Sequence, residues 1–171
     1  MEFMQVIKNR KSVRAYKDEQ ISEEALQQIL YTGCAAPVSN KDYKSIHITV
    51  VQSETMLERI RNAVNFSSDP LYGVPTLIII SSTKASVANV ECFNAACIVE
   101  NMLLASTNLN IASIYLTFFL QFLADKKDLL MDLGIPEGFS PISAVGIGYA
   151  KDITEDEEND TIKNRIPIHI I

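Results

Sequence analysis

The residues whose types and spacing could do chemistry are concentrated near the start of the chain, at residues 9–14. We call this stretch, which reads NRKSVR, the basic segment. Arginine presents paired N–H donors that match the edge of a phosphate, and a serine hydroxyl can approach a phosphate oxygen closely. In an extended chain alternate side chains share one face, so we expect Arg10, Ser12 and Arg14 to point together. Lys11 would then face away. The pattern fits an anion site, and it also fits a solvated basic turn at a helix end, where the helix dipole favours cations.

A second pair of cations, Lys163 and Arg165, stands directly before an apolar run at the end of the chain. The two alternate in the same way, so they could also point to one face. Here too the alternative is a surface turn, whose positive charge would offset the acidic run at residues 152–160. We interpret that acidic run as solvated surface, which is the usual behaviour of a run of like charges.

Composition limits the class of protein and the size of any bound anion. The formal net charge of −6 argues against a nucleic-acid or anionic-membrane surface, which would need a broad basic face. Any anion bound by the basic segment should therefore be small. At 171 residues and 47% hydrophobic, the chain can bury a substantial core, and we expect one domain over residues 1–171.

The three cysteines and the N-terminal residues indicate the cellular compartment of the protein. Cys34, Cys92 and Cys97 form no CxxC motif or Cys/His cluster, which argues against a zinc site. The first residues lack the apolar core and the cleavage site of a secretory signal. An odd cysteine count without an export signal predicts reduced thiols in a cytoplasmic protein. The most apolar stretch, residues 114–124, is too short and too interrupted to span a bilayer.

Apolar spacings of three and four predict five helices, over residues 2–8, 22–31, 53–64, 86–106 and 125–133. Ser22 and Ser53 are suitable N-caps for the second and third helices, and Gly33 is placed to end the second. The fourth helix is apolar around most of its circumference. That pattern predicts a central position in the fold.

Apolar and β-branched runs predict four strands, over residues 46–51, 76–81, 143–148 and 166–171. Residues 111–116 could be a further strand or an irregular segment. The run at 76–81 is apolar throughout, which predicts a strand covered on both faces. Residues 35–40, here called the Pro loop, are small enough to let a ligand approach the backbone. Helices and strands interleave, yet no helix follows the last strand, so the order fits an α+β fold.

Conventional hydrolytic machinery is hard to place in this sequence. Both histidines, His47 and His169, fall in predicted strands, and no serine lies in a GxSxG elbow. Gly146 and Gly148 form a GxG after a strand, but the third glycine and the following helix of a dinucleotide fingerprint are missing. We therefore expect this GxG to be a bend or a bulge.

A series of motifs, in order along the chain, resembles the nitroreductase family of FMN-dependent enzymes. NRKSVRAY resembles the family's R-R/H-S-x-R-x-F/Y, and AAPVSN resembles A-P-S-x-x-N. GVPTLIIIS resembles its apolar strand, ENMLLAS its central helix, and ISAVGIGYA with KNRIPIHII its closing G-Y and K-x-R-x-P elements. The likeness covers the chain nearly end to end. It implies an α+β fold in which helices flank a central, mostly antiparallel sheet, with the C-terminal strand exchanged in a dimer.

The resemblance also implies a set of residues that bind FMN: Arg10, Lys11, Ser12, Arg14, Pro37, Val38, Ser39, Asn40, Lys163 and Arg165. Arg10, Ser12, Lys163 and Arg165 would hold the phosphate and ribityl chain. Arg14 would instead lie at the pyrimidine side of the isoalloxazine ring, where reduction places negative charge at N1 and O2. Residues 37–39 would cover the ring from the second subunit of the homodimer.

The activity that the resemblance implies is electron transfer from NADH or NADPH, through the flavin, to a nitroaromatic, quinone or similar small acceptor. The flavin N5 would carry the chemistry, and no side chain need act as an acid or a base. Relatives also include dehalogenases and an oxygen-using enzyme that fragments FMN. The chain reads NKDYKS where the family has N-x-Q-P-W, and it lacks the Glu-Gly that faces N5. A flavin-binding protein without NAD(P)H turnover is therefore a third reading.

Overall fold

The structure, a computed structural model, describes residues 1–84, 89–152 and 165–171. Its helices in these ranges are α1 (Phe3–Asn9), α2 (Glu23–Cys34), α3 (Glu54–Val64), α4 (Val90–Asn108) and α5 (Lys127–Asp132). Its strands are β1 (Ile46–Val51), β2 (Thr76–Ser82), β3 (Ala112–Leu116) and β4 (Ser140–Gly148). Short 3-10 turns occupy Ser39–Lys41, Tyr43–Ser45 and Phe118–Phe122. The five predicted helices are present, and the ambiguous run at 111–116 contains a strand.

The four strands form one sheet in the order β1-β2-β4-β3, and every pairing is antiparallel. The predicted α+β class with an antiparallel sheet is confirmed. β4 begins three residues earlier than expected, at Ser140. Its pairing with β2 shifts register between Ile80 and Ser81, where Ser81 lies opposite Pro141. Proline has no backbone N–H to donate to the ladder, which accounts for an irregularity at this point.

β2 is the centre of the fold, and all seven of its residues are buried. Leu77 and Ile79 pack into a core on one face of the sheet, which α3 and α5 help to form. Ile78 and Ile80 pack into a second core on the other face, together with residues of α2 and α4. The prediction of a strand covered on both faces is confirmed, and so is the central position of α4.

The predicted N-caps of α2 and α3 are confirmed, whereas the predicted end of α2 is wrong. The Ser22 hydroxyl accepts a hydrogen bond from the Ala25 N–H at 3.2 Å, and Ser53 caps α3 in the same way. Gly33, however, lies inside α2 and does not end it. A Cβ at Gly33 would lie 2.2 Å from Cε of Met102 in α4. This glycine therefore allows α2 and α4 to pack closely against each other.

The C-terminal residues 166–171, here called the tail, form no strand in the single chain. The tail pairs with none of the strands that the structure describes, and its exchange into the sheet of a second subunit stays a prediction. Ile166, Ile168 and Ile170 are 76%, 81% and 88% exposed. Other large apolar side chains also lie at the surface, among them Phe3 of α1 and Phe93 of α4. In the described ranges, no helix combines the length and the hydropathy that a membrane crossing requires.

Candidate functional site

The basic segment and the residues that directly follow it, 15–17, are bonded to the sheet and to the chain just beyond β4. α1 ends at Asn9, and the chain continues in extended conformation from Arg10. The Val13 N–H then donates to the Ser113 carbonyl of β3 at 3.0 Å. Farther on, the Lys17 N–H donates to the carbonyl of Tyr149, just beyond β4, at 2.8 Å. Because β3 and β4 belong to the core sheet, these bonds fix the path of the backbone from Val13 to Lys17.

Tyr16 anchors the same stretch from within. Its ring is buried, and its hydroxyl donates to the Val13 carbonyl at 3.0 Å. Burial raises the pKa of Tyr16 well above its ordinary value, an effect that the Arg14 cation opposes in part. Tyr16 is therefore an uncharged packing residue that holds the backbone of the basic segment in place.

Gly148, the second glycine of the GxG motif, makes room for this anchor. Gly146 and Gly148 both lie within β4, so the expected bend or bulge is wrong at this motif. A Cβ at Gly148 would lie 2.7 Å from Cδ of Pro75 and 3.1 Å from Cδ1 of Tyr16. At Gly146 a Cβ would lie 2.5 Å from Cγ1 of Val74. Close packing explains both glycines, since a real Cβ does not fit at these distances.

A cavity of about 500 Å³ lies beside the basic segment, where the end of α4 meets the start of β3. Its lining residues are Met1, Asn9, Lys11, Ser12, Val13, Arg14, Ala15, Thr107, Asn110, Ile111, Ala112, Ser113, Ala150 and Asp152. The volume falls within the range of about 300–1,000 Å³ that is typical of small-molecule sites. The basic segment thus lies against a concave space that a small ligand could enter.

Four consecutive residues of the basic segment, 11–14, line the cavity. Val13 also packs against the core on one face of the sheet. The segment contacts the sheet through isolated bridges, including Ser12 with Ser113, and forms no regular strand. The expectation that Lys11 faces away from Arg10, Ser12 and Arg14 stays a prediction.

Two of the other predicted cations, Arg10 and Arg165, lie outside the cavity lining. Arg10 is half-buried and Arg165 is exposed, and neither lines the cavity. Lys163 lies outside the described residues, as does most of the acidic run, of which Asp152 is described and lines the cavity. The structure therefore brings Lys11, Ser12 and Arg14 together with the cavity.

The Pro loop does not line this cavity either, and α4 holds it in place. Val38 is buried, whereas Pro37, Ser39 and Asn40 are exposed. The Ser39 N–H donates at 3.0 Å to Oδ1 of Asn94, a buried amide on α4. Sequence reasoning missed Asn94. Its signal is a single amide on the buried side of an apolar helix, where a polar group needs a partner.

Ser113 is a second residue that sequence reasoning missed. It lines the cavity, it is 2% exposed, and its Oγ has no hydrogen-bond partner in the described part of the chain. A buried polar atom without a partner is costly, and native structures contain few of them. A polar ligand in the cavity would be one way to satisfy this hydroxyl.

Comparison with known proteins gives consistent matches along the chain. The sequence model of a family described as "Putative TM nitroreductase" matches residues 2–165. A protein from Archaeoglobus fulgidus, named "Putative NADH dehydrogenase/NAD(P)H nitroreductase", is 30% identical over 171 residues. That match covers 98% of this chain and 97% of the relative. A protein of the same name from Methanothermobacter thermautotrophicus is 27% identical over 152 residues. That match covers 87% of this chain and 78% of the relative.

Solved structures match the fold over nearly the whole chain. The crystal structure of a nitroreductase with bound FMN from Bacteroides fragilis is 30% identical, with a TM-score of 0.84. The match covers 99% of this chain and 100% of that one. A nitroreductase with bound FMN from Desulfitobacterium hafniense has a TM-score of 0.82 at 22% identity, covering 100% of this chain and 98% of that one. At that identity, the second structure shows the shared fold alone.

Proposed function

Because the chain belongs to the nitroreductase family, we propose that it is an FMN-dependent oxidoreductase. Residues 1–171 would form a single FMN-binding domain. The enzyme would take electrons from NADH or NADPH and pass them to a nitroaromatic, a quinone or a similar small acceptor. The observation that carries the proposal is the cavity beside the basic segment, in a chain whose 30%-identical structural relative has bound FMN.

The residues around the cavity fit such a cofactor. Lys11 brings positive charge to its wall and Ser12 adds a hydroxyl, and these two groups complement a phosphate. Arg14 adds a second cation, which we assign to the ring of the cofactor. The partnerless Oγ of Ser113 adds a polar atom that a ligand could satisfy. With Arg10, Arg165 and Lys163, these side chains are the proposed ligands of the phosphate, the ribityl chain and the ring.

When bound, FMN supplies the redox chemistry, and the protein's contribution is binding, orientation and electrostatics. The basic segment holds the anionic end of the cofactor. Arg14 places a fixed cation at the pyrimidine side, where positive charge favours the reduced form. No side chain of the site is assigned a proton-transfer role. The exposed free thiols of Cys34, Cys92 and Cys97 suit the reducing conditions of the cytoplasm, which is the location we propose.

We further propose a homodimer with the FMN sites at its interface. Phe3 of α1 and Phe93 of α4 are both 67% exposed, and the isoleucines of the tail are exposed as well. Large apolar side chains at the surface favour contact with a second subunit. In this arrangement the Pro loop, held by its bond to Asn94, covers the partner's ring.

Deleting the tail, residues 166–171, should convert the dimer to a monomer. The physical reason is that its exposed isoleucines would lose their burial on the other subunit. Sedimentation or light scattering on the purified protein measures the change in mass. The variant His169→Ala keeps every isoleucine and should remain dimeric. A truncated chain that is both folded and dimeric would show that the tail does not cross over.

The proposed function is tested by the visible absorption spectrum of the purified protein with added FMN, followed by anaerobic NADH and then NADPH. We expect about one flavin per chain and bleaching by at least one nucleotide. Flavin that binds but stays oxidised with both nucleotides would support the alternative of a binding protein without turnover. Absence of flavin binding would contradict both readings.

A further inference from the structure

Arg14, which lines the cavity, is in contact with the ring of Tyr72. The guanidinium carbon lies over that ring, 5.9 Å from its centroid, within the distance of a cation–π interaction. No carboxylate of the described residues forms an ion pair with Arg14. Tyr72 itself does not line the cavity. Any effect of this tyrosine on a ligand there would therefore act through Arg14.

The loop that carries Tyr72 is built to hold it in one place. The Asp69 carboxylate accepts hydrogen bonds from the Leu71 N–H at 2.8 Å and from the Gly73 N–H at 2.6 Å. Nε of Arg61 lies 3.4 Å from the same carboxylate. Leu71 is completely buried, which fixes the loop to the core directly beside Tyr72.

Tyr72 is held in a conformation that a tyrosine seldom adopts. Its φ is +57°, in the left-handed region, which costs a residue with a Cβ some free energy. Such conformations persist where the surroundings over-determine them, and they cluster at functional sites. Tyr72 is 39% exposed, and in this conformation its ring lies against the Arg14 guanidinium.

We propose that Tyr72 is a positioning residue that holds the Arg14 guanidinium at the cavity wall. An aromatic ring over the guanidinium covers the face of that group, whereas its N–H donors lie in the plane. Those donors stay directed toward a ligand while the side chain loses the freedom to swing into solvent. The inference rests on the proposed FMN function, and the ligand class is a planar ring system that gains negative charge on reduction.

The test compares Tyr72→Leu, which removes the ring, with Tyr72→Phe, which keeps it. The readouts are the dissociation constant for FMN and the two-electron potential of bound FMN. We expect Tyr72→Leu to weaken the binding of reduced FMN relative to oxidised FMN by about three- to fivefold, the range of an exposed cation–π contact. A tenfold change corresponds to about 30 mV for two electrons, so the potential should fall by about 15–20 mV. Tyr72→Phe should stay close to the wild-type potential.

A purely structural role would lower the melting temperature and leave the potential unchanged. Tyr31→Leu, at another exposed tyrosine, controls for the loss of a surface ring. If Tyr72→Leu does not fold, Tyr72→Gly makes the same comparison, since glycine adopts a positive φ without strain. A wild-type chain that binds FMN, together with an unchanged potential in the ring-free variant, would overturn this inference alone. A wild-type chain that binds no FMN would overturn the proposed function and this inference with it.

Discussion

Replacing Arg165 with alanine should weaken FMN binding by about 10- to 100-fold, because a hydrogen bond to a charged group contributes about 1.5–3 kcal/mol. The melting temperature of the flavin-free protein should hardly change. Arg165 is exposed, and exposed substitutions usually alter stability by about 0.5 kcal/mol or less. Fluorescence titration with FMN and thermal melting of the flavin-free protein measure the two quantities separately.

The control for this substitution is Arg59→Ala, which removes the same charge from a residue that forms a surface ion pair with Asp132. Exposed ion pairs contribute about 1 kcal/mol or less, so this variant should keep its affinity for FMN and nearly all of its stability. If Arg165→Ala lost affinity and stability to the same extent, Arg165 would be a structural residue. If it lost neither, the phosphate assignment would be wrong.

Replacing Gly148 with valine should lower the free energy of unfolding by about 3 kcal/mol, the upper part of the usual cost of overpacking a core. The new Cβ would lie 2.7 Å and 2.8 Å from Cδ and Cγ of Pro75, whose ring cannot rotate away. For a chain of this length, the melting temperature should fall by about 6–12 °C.

The same substitution should also reduce FMN retention, because the displaced neighbour on the other side is Tyr16. Tyr16 holds the basic segment through its bond to the Val13 carbonyl. The adjoining residues Ala15 and Lys17 are bonded to residues just after Gly148. Gly138→Ala is the control: it has open space around it but a φ of +85°, so it tests backbone strain without crowding. It should cost about 1–2 kcal/mol and leave FMN binding intact. Wild-type melting and flavin retention in Gly148→Val would show that Pro75 and Tyr16 can give way.

Signals that depend on nearest neighbours along the chain were read correctly from the sequence. Ser22 and Ser53 cap their helices because an N-cap needs a hydroxyl only three residues away from its partner N–H. The apolar run at 76–81 is the central strand, because a strand buried on both faces cannot alternate. The family motifs belong to the same class, since each is a short pattern in a fixed order.

Signals that depend on distant partners were read less well. Gly33 was predicted to end a helix and Gly148 to lie in a bend or a bulge. At each position the lack of a side chain instead leaves room for another part of the fold. Asn94 was missed although an amide on an apolar helix is a weak signal, and Ser113 carries no local signal that separates it from an ordinary strand residue.

By itself the sequence determined the α+β class, the strong helices and strands and the family resemblance, and it led to the proposal that an anion binds at the basic segment. Each of these follows from residue type and short spacing, which act through local conformation and through the pattern of burial. Only the tertiary structure decided that the basic segment lies against a cavity and that Gly148 makes room for Tyr16. Only the tertiary structure shows that the Tyr72 ring contacts the Arg14 guanidinium. Such contacts join residues far apart in the chain, and no local preference specifies which distant side chain fills a given space.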